Sequence, residues 1–153
     1  MLKVGYPQDL KKFENYDLGC SDWFLIDQEL INAFAKLSGD DQWIHVDSDR
    51  AFNEMPGGKT IAHGLLTLCI SPSLGKHKIH IEFLKHTLNY GIDKVRFISP
   101  VKVGSFIRLK SKIAQVTLRD DDSVLLRIER IMEIKGTERL AMYAETLSLM
   151  YPA

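Results

Sequence analysis

The chain has no excess of charge of either sign: 20 Lys and Arg stand against 20 Asp and Glu in 153 residues. Without a global basic field, the long-range attraction behind non-specific nucleic-acid binding is missing, and DNA and RNA are poor expectations as partners. Cysteine is nearly absent as well; Cys20 and Cys69 are the two present, and neither stands in a paired motif. Together with an opening stretch, MLKVGYPQDLKKFE, that has no apolar signal-peptide core, this leads to the expectation of a reducing cytoplasm. Long hydrophobic runs are also lacking. The most nearly apolar stretch, Ile61 to Ile70, is interrupted by His63 and Gly64 and is far shorter than the ~20 residues a spanning helix needs, so membrane insertion is not expected. There are no repeats, low-complexity tracts or linkers, and the length suits one domain, so residues 1–153 are expected to form a single domain.

What is present reads as α+β. Gln8 to Tyr16 suits a turn or two of helix, and Trp23 to Ile26 suits a strand or extended arm, with Trp23 expected in the core. Leu30, Ile31, Phe34 and Leu37 recur at helical spacing behind Asp27, a capping residue, and Gly39 suits a left-handed helix end. Asp47 or Ser48 can cap a second helix, Asp49 to Met55, stopped by Pro56, Gly57 and Gly58. Ile61 to Leu74 predicts a helix apolar on all sides, to be kinked or ended near Ser71 by Pro72. Residues 75–91 are polar and irregular, and four strands follow: Tyr90 to Ile98, Ser105 to Leu118, Ser123 to Lys135 and Arg139 to Tyr151. A helix with no polar face must be surrounded, and antiparallel strands can surround it; a sheet wrapped round one central helix is the economical architecture.

Several motifs invite over-reading. GGKT at Gly57 to Thr60 lacks the glycine five positions before Gly58, where Asn53 stands, and follows helix rather than a buried strand, which excludes a P-loop. Lys59 could still meet a cofactor phosphate. His77 and His80 have metal-like spacing, but the surrounding lysines disfavour a cation; Lys76, Lys78, Lys85 and His86 complete a basic surface that could attract the phosphates of a CoA tail. Ser71 and Ser73 read as turn or capping residues, and Cys69, between Leu68 and Ile70, as inert packing.

The informative stretch runs from Asp40 to Thr67. FAKLSGDDQWIHVD, then GGKTIAHGLLTL, then NYGIDKVRFISPV resembles the MaoC-like dehydratases and (R)-specific enoyl-CoA hydratases, and most closely their nodulation-protein-N-like branch, over roughly residues 27 to 104. The resemblance implies a hot-dog fold, a homodimer and an acyl-CoA or acyl-carrier-protein thioester as substrate, with the catalytic pair on Asp40 and His45. Hydrating an enoyl thioester requires a base for water, a proton for the α carbon and a donor for the thioester oxygen. Imidazole, with a reference pKa of ~6.5, suits the base, and a carboxyl group the proton exchange, though sequence leaves the two roles interchangeable. Gly64 supplies the third requirement if the helix starts near Ala62 or His63, since its amide is then among the unbonded donors. Gln42 and His63 would support the pair, and Trp43 would shape the acyl pocket; where many relatives have Asn and Pro, this chain has Gln42 and Trp43. No metal or other cofactor is expected. Two rivals stand beside this reading: a non-catalytic acyl-thioester-binding or signalling module, and an acyl-CoA thioesterase, which would place a carboxylate on the central helix where Leu65 to Leu74 has none.

Overall fold

A computed structural model describes all residues, 1–153. Its frame is a meander of three long strands, β6 (Phe106–Leu118), β7 (Val124–Ile134) and β8 (Leu140–Pro152), close to the boundaries that the turn residues predict. β5 (Leu84–Phe97) pairs antiparallel with β8 at one edge; β2 (Asp17–Cys20) and the two-residue β3 (Phe24–Leu25) pair with β6 at the other, giving the order β2-β6-β7-β8-β5. A separate parallel pair joins β1 (Leu2–Val4) to β4 (Ile79–Ile81).

The alternation in β7 works as its sequence predicts. Val124, Leu126, Ile128 and Met132 face inward and are buried, and Arg127, Glu129 and Glu133 face out. Those outer charges make ion pairs: Arg127 bridges Asp93 and Glu145, both at 2.7 Å, and Arg108 meets Glu133 at 2.6 Å. Inside, the apolar residues form two clusters. One packs the helices against β6 to β8 through Ile31, Leu66, Leu109, Met132 and Met142. The other, around Ile113, Val124, Leu126 and Ile128, is covered by the 3-10 helix Pro7–Phe13, whose Leu10 is fully buried. Each fully buried Leu or Ile in these clusters contributes about 2 kcal/mol through loss of water-exposed surface.

The helices are α1 (Gln28–Ser38), α2 (Trp43–Val46), α3 (Ser48–Glu54), α4 (Gly64–Cys69) and α5 (Ser71–Leu74). Asp27 caps α1 by accepting from Leu30 N, and Gly39 ends it at φ 77°. Asp47, rather than Ser48, caps α3 through Arg50 N. The antiparallel sheet folded round α4 is the hot-dog architecture.

Several expectations need correction. The central helix does not span Ile61 to Leu74: Ile61 is extended and bridges Lys102, α4 begins only at Gly64, and Pro72, having no N–H to continue the ladder, falls in the separate turn α5. Nor is it enclosed on all sides, since Leu65 is 56% exposed and Cys69 is exposed one turn later. Cys69 is therefore not packed inside. Trp23 is half-buried rather than core, with the Arg108 guanidinium 4.6 Å above its ring; of that apolar run, only Ile26 is fully buried. Residues 75–91, expected to be irregular, contain β4 and the first half of β5, a strand whose polar residues are tolerated because it lies at the sheet edge.

Candidate active site

Three local features bring the site together. The left-handed turn at Gly39 redirects the chain after α1, and Asp40 N–H donates to Ser38 Oγ at 3.2 Å. The single turn α2, which the sequence reading treats as loop, holds His45 on its inner side, 7% exposed. Residues 60 to 62 run extended beside Val101 to Val103, with Ala62 N–H donating to Val101 O at 2.8 Å, and deliver His63 and Gly64 to the start of α4.

Asp40, His45 and His63 converge, with a carboxylate oxygen and one nitrogen from each ring all within 4.8 Å of one another. The rings of His45 and His63 stack at 3.8 Å between centroids. His45 Nδ1 lies 2.7 Å from Ile61 O, and His63 Nε2 lies 2.8 Å from Asp40 O. A carbonyl oxygen only accepts, so both nitrogens carry their protons and donate. The remaining nitrogen of His45, Nε2, makes no hydrogen bond within the chain, and the ring lines a cavity of about 280 Å³. The remaining nitrogen of His63, Nδ1, is buried without a partner.

Gly64, Thr67, Phe97 and Val101 also line that cavity. Gly64 is the first residue of α4, so its N–H precedes the first intrahelical acceptor, and Thr67 Oγ donates back to Gly64 O at 2.6 Å. Glycine leaves room there for the Phe97 ring: a Cβ would lie 2.6 Å from Phe97 Cγ, so the ring would have to shift.

Other residues singled out in the sequence lie elsewhere. Gln42 precedes α2 with its side chain unengaged in capping, and Trp43 lies beneath the Arg50 guanidinium at 4.1 Å; neither lines the cavity. Lys59 is exposed near Gly104 and is also outside it. The basic surface is partly committed to structure, since Lys78 Nζ donates to Cys20 O and His86 stacks on Tyr151. Sequence reasoning missed Gln28, whose amide donates to His45 O at 2.7 Å and accepts from Thr60 Oγ at 2.5 Å, tying α1 to both arms of the site. It also missed Phe97 as a cavity wall. Neither carries a local signal: Gln28 looks like an ordinary first-turn residue, and Phe97 like the end of an alternating strand.

Comparisons with known proteins bear on the family and the fold. The family model for the MaoC like domain matches residues 13–131. The 3-hydroxyacyl-thioester dehydratase Z of Mycobacterium tuberculosis is 40% identical over 139 residues, 91% of each chain. Nodulation protein N of Rhizobium leguminosarum bv. viciae is 38% identical over 137 residues, 88% of this chain and 84% of that one. Among solved structures, a monoamine oxidase regulatory protein from Archaeoglobus fulgius superposes with a TM-score of 0.80 at 19% identity, covering 100% of this chain and 99% of that chain. With the family model spanning most of its length and these relatives alike nearly end to end, the chain belongs to the MaoC-like domain family.

Proposed function

We propose that the protein is a hydro-lyase that reversibly adds water to trans-2-enoyl thioesters, giving (R)-3-hydroxyacyl thioesters, with Asp40 and His45 as the acid–base pair. The observation that carries this reading is the meeting of the exposed Asp40 carboxylate with the His45 imidazole, whose Nε2 is unspent and whose ring lines one cavity with Gly64, the first N–H of α4; Asp40 itself stands outside that lining. In the hydration direction, His45 Nε2 takes a proton from water as its oxygen bonds to the β carbon. The electron pair of the double bond moves toward the thioester carbonyl, whose oxygen gains negative charge opposite Gly64 N–H. Asp40 delivers the proton that the α carbon takes up, and proton transfer from His45 to Asp40 restores both groups. Their proximity makes that return short. His63 fixes Asp40 through the backbone carbonyl, and Gln28 fixes the turn that carries His45.

The thioester is carried by CoA or acyl carrier protein, and the cycle uses no metal or redox group. The curated relative named as a 3-hydroxyacyl-thioester dehydratase supports the reaction class. The absence of any carboxylate on α4 or α5 argues against a thioesterase of this fold. We assign the working form as a homodimer: β5 is a long edge strand on which Leu88, Tyr90 and Ile92 are each about half exposed or more, with exposed Cys69 of α4 on the same cavity wall as Tyr90 and Ile92. Two unpaired cysteines suit the cytoplasm, and no helix is long and apolar enough to cross a membrane.

The test is to follow hydration of short and medium trans-2-enoyl-CoA by wild type, Asp40→Asn and His45→Ala. Loss of turnover in each variant is expected. Undiminished turnover in both would remove the site assignment, and binding of enoyl-CoA without turnover by wild type would favour a non-catalytic acyl-thioester binder.

A further inference from the structure

Arg130 breaks the apolar inner face of β7 between Ile128 and Met132. Its guanidinium is turned inward: Nε donates to Thr146 Oγ at 2.9 Å and Nη1 to Ser71 O at 3.2 Å, while Nη2 donates to nothing in the chain. No carboxylate pairs with it, unlike Arg108 and Arg127 on the outer face. Burial pushes its pKa down from the ordinary arginine value, a measure of how thoroughly the charge has left water.

Two cavities meet at this side chain. The larger, about 530 Å³, is walled by Arg130 with Leu68, Ser71, Ile92, Thr146 and Ser148. The smaller, about 150 Å³, is walled by Arg130 with Lys78 and Ser111 among others. Neither has an acidic residue on its wall. Ser71 Oγ on the first and Ser111 Oγ on the second are buried with no hydrogen-bond partner; of the two expectations for Ser71, it is the turn residue, in α5, and not a cap. A desolvated cation without a counter-charge, beside hydroxyls without partners, is costly unless something anionic completes it.

The larger cavity and the active-site cavity share no wall residue, but the same elements flank both. Gly64 and Thr67 of α4 line the active-site cavity, and Leu68 of α4 with Ser71 at the start of α5 line the larger one. The opposite wall is the β5–β8 ladder in both, at Phe97 and Ala141 for the first and at Ile92 and Thr146 for the second.

We infer that the acyl group passes from the active-site cavity into the larger one, between the α4–α5 segment and the β5–β8 ladder, and that Arg130 receives a carboxylate there, so the preferred substrates are enoyl thioesters of dicarboxylic acids rather than of simple fatty acids. The inference rests on the hydratase reading for its orientation. A guanidinium fork matches a carboxylate bidentately, and Nη2 with Ser71 Oγ offers the donors.

The experiment compares two matched series of trans-2-enoyl-CoA thioesters, short to medium in length, one ending in a methyl group and one in a carboxylate. Wild type is expected to favour the carboxylate series in kcat/KM by roughly tenfold or more at its best length. Arg130→Met should abolish that preference and Arg130→Lys should keep part of it. Equal or better turnover of the methyl series by wild type overturns the inference, as does an equal loss on both series in Arg130→Met, since CoA phosphates are common to both. Should neither series turn over, the saturated CoA monothioesters of the dicarboxylic acids serve as probes of binding. A Kd raised roughly tenfold by Arg130→Met but unchanged by Asp40→Asn sustains the anion site while the hydratase reading falls, and an unchanged Kd in Arg130→Met removes the anion site.

Discussion

Gly64→Ala gives a perturbation whose size can be worked from the coordinates. A Cβ at this position would stand 2.6, 2.7 and 2.9 Å from three ring carbons of Phe97. Carbon atoms in ordinary contact are ~3.5–4.0 Å apart, so the ring must withdraw by about 1 Å. Phe97 is 46% exposed at the end of β5, which lets it move at low cost. The stability loss should therefore fall near the low end of the ~1–3 kcal/mol typical of overpacking, a drop in Tm of roughly 2–4 °C for a chain of this size. Activity should suffer more. The same ring lines the active-site cavity, and the new methyl group shields the N–H on which the thioester oxygen is proposed to lie. Losing one such donor typically costs ~10²–10³ in kcat, and a decrease of about that order is expected. The assay is steady-state enoyl-CoA hydration with thermal unfolding in parallel, on Gly64→Ala alone and combined with Phe97→Ala. Removing the ring should recover the lost stability without restoring the rate. Wild-type kcat/KM in Gly64→Ala would refute the placement of substrate at Gly64.

Other predictions follow from the same geometry. Chelators should leave turnover unchanged: a tetrahedral zinc holds ligand atoms roughly 3.3 Å apart, tighter than the 4.8 Å envelope of Asp40, His45 and His63. Loss of activity that zinc restores would contradict this. Ile92→Glu, placing a charge on the exposed edge of β5, should convert a dimer to monomers in sedimentation equilibrium; an unchanged mass would locate self-association elsewhere. Burial, with hydrogen bonds to Glu129 and Glu145, pushes the Tyr143 hydroxyl up to about 12. The neutral phenol is thus favoured by the fold, so its stabilisation is complete below pH ~10, the free tyrosine value, and is lost as pH rises toward its folded value. Alkaline ultraviolet titration should show one late tyrosine that disappears in Tyr143→Phe; its persistence would show that another tyrosine is responsible.

The legible parts of the fold are those where local chemistry and tertiary packing demand the same thing. Asp27 and Gly39 bound α1 because a cap and a left-handed end are properties of single residues, and the strands β6 to β8 are bounded by turns that their own residues dictate. β5 was half missed because an edge strand needs no inward alternation over its whole length, so Lys85, His86 and Asn89 look like loop. Leu65 and Cys69 misled in the opposite direction: their apolar character reads as burial, whereas they form an exposed stripe. In the site, the spacing of Asp40 and His45 after a helix end makes both candidates, while their pairing is implied only by the family resemblance. The stacking of His63 on His45, the tie through Gln28 and the inward turn of Arg130 depend on which segments the sheet brings together, and no local pattern encodes that.

The central claim, that Asp40 and His45 act as one unit in moving protons, is tested most directly by kcat for trans-2-enoyl-CoA hydration in Asp40→Asn, His45→Ala and the double variant. Each single change is expected to cost about 10²–10⁴, and the double variant should be little slower than the worse single one, because removing either partner already disables the pair. Losses that multiply in the double variant would show two groups working independently, and a single variant at wild-type rate would remove that residue from the chemistry.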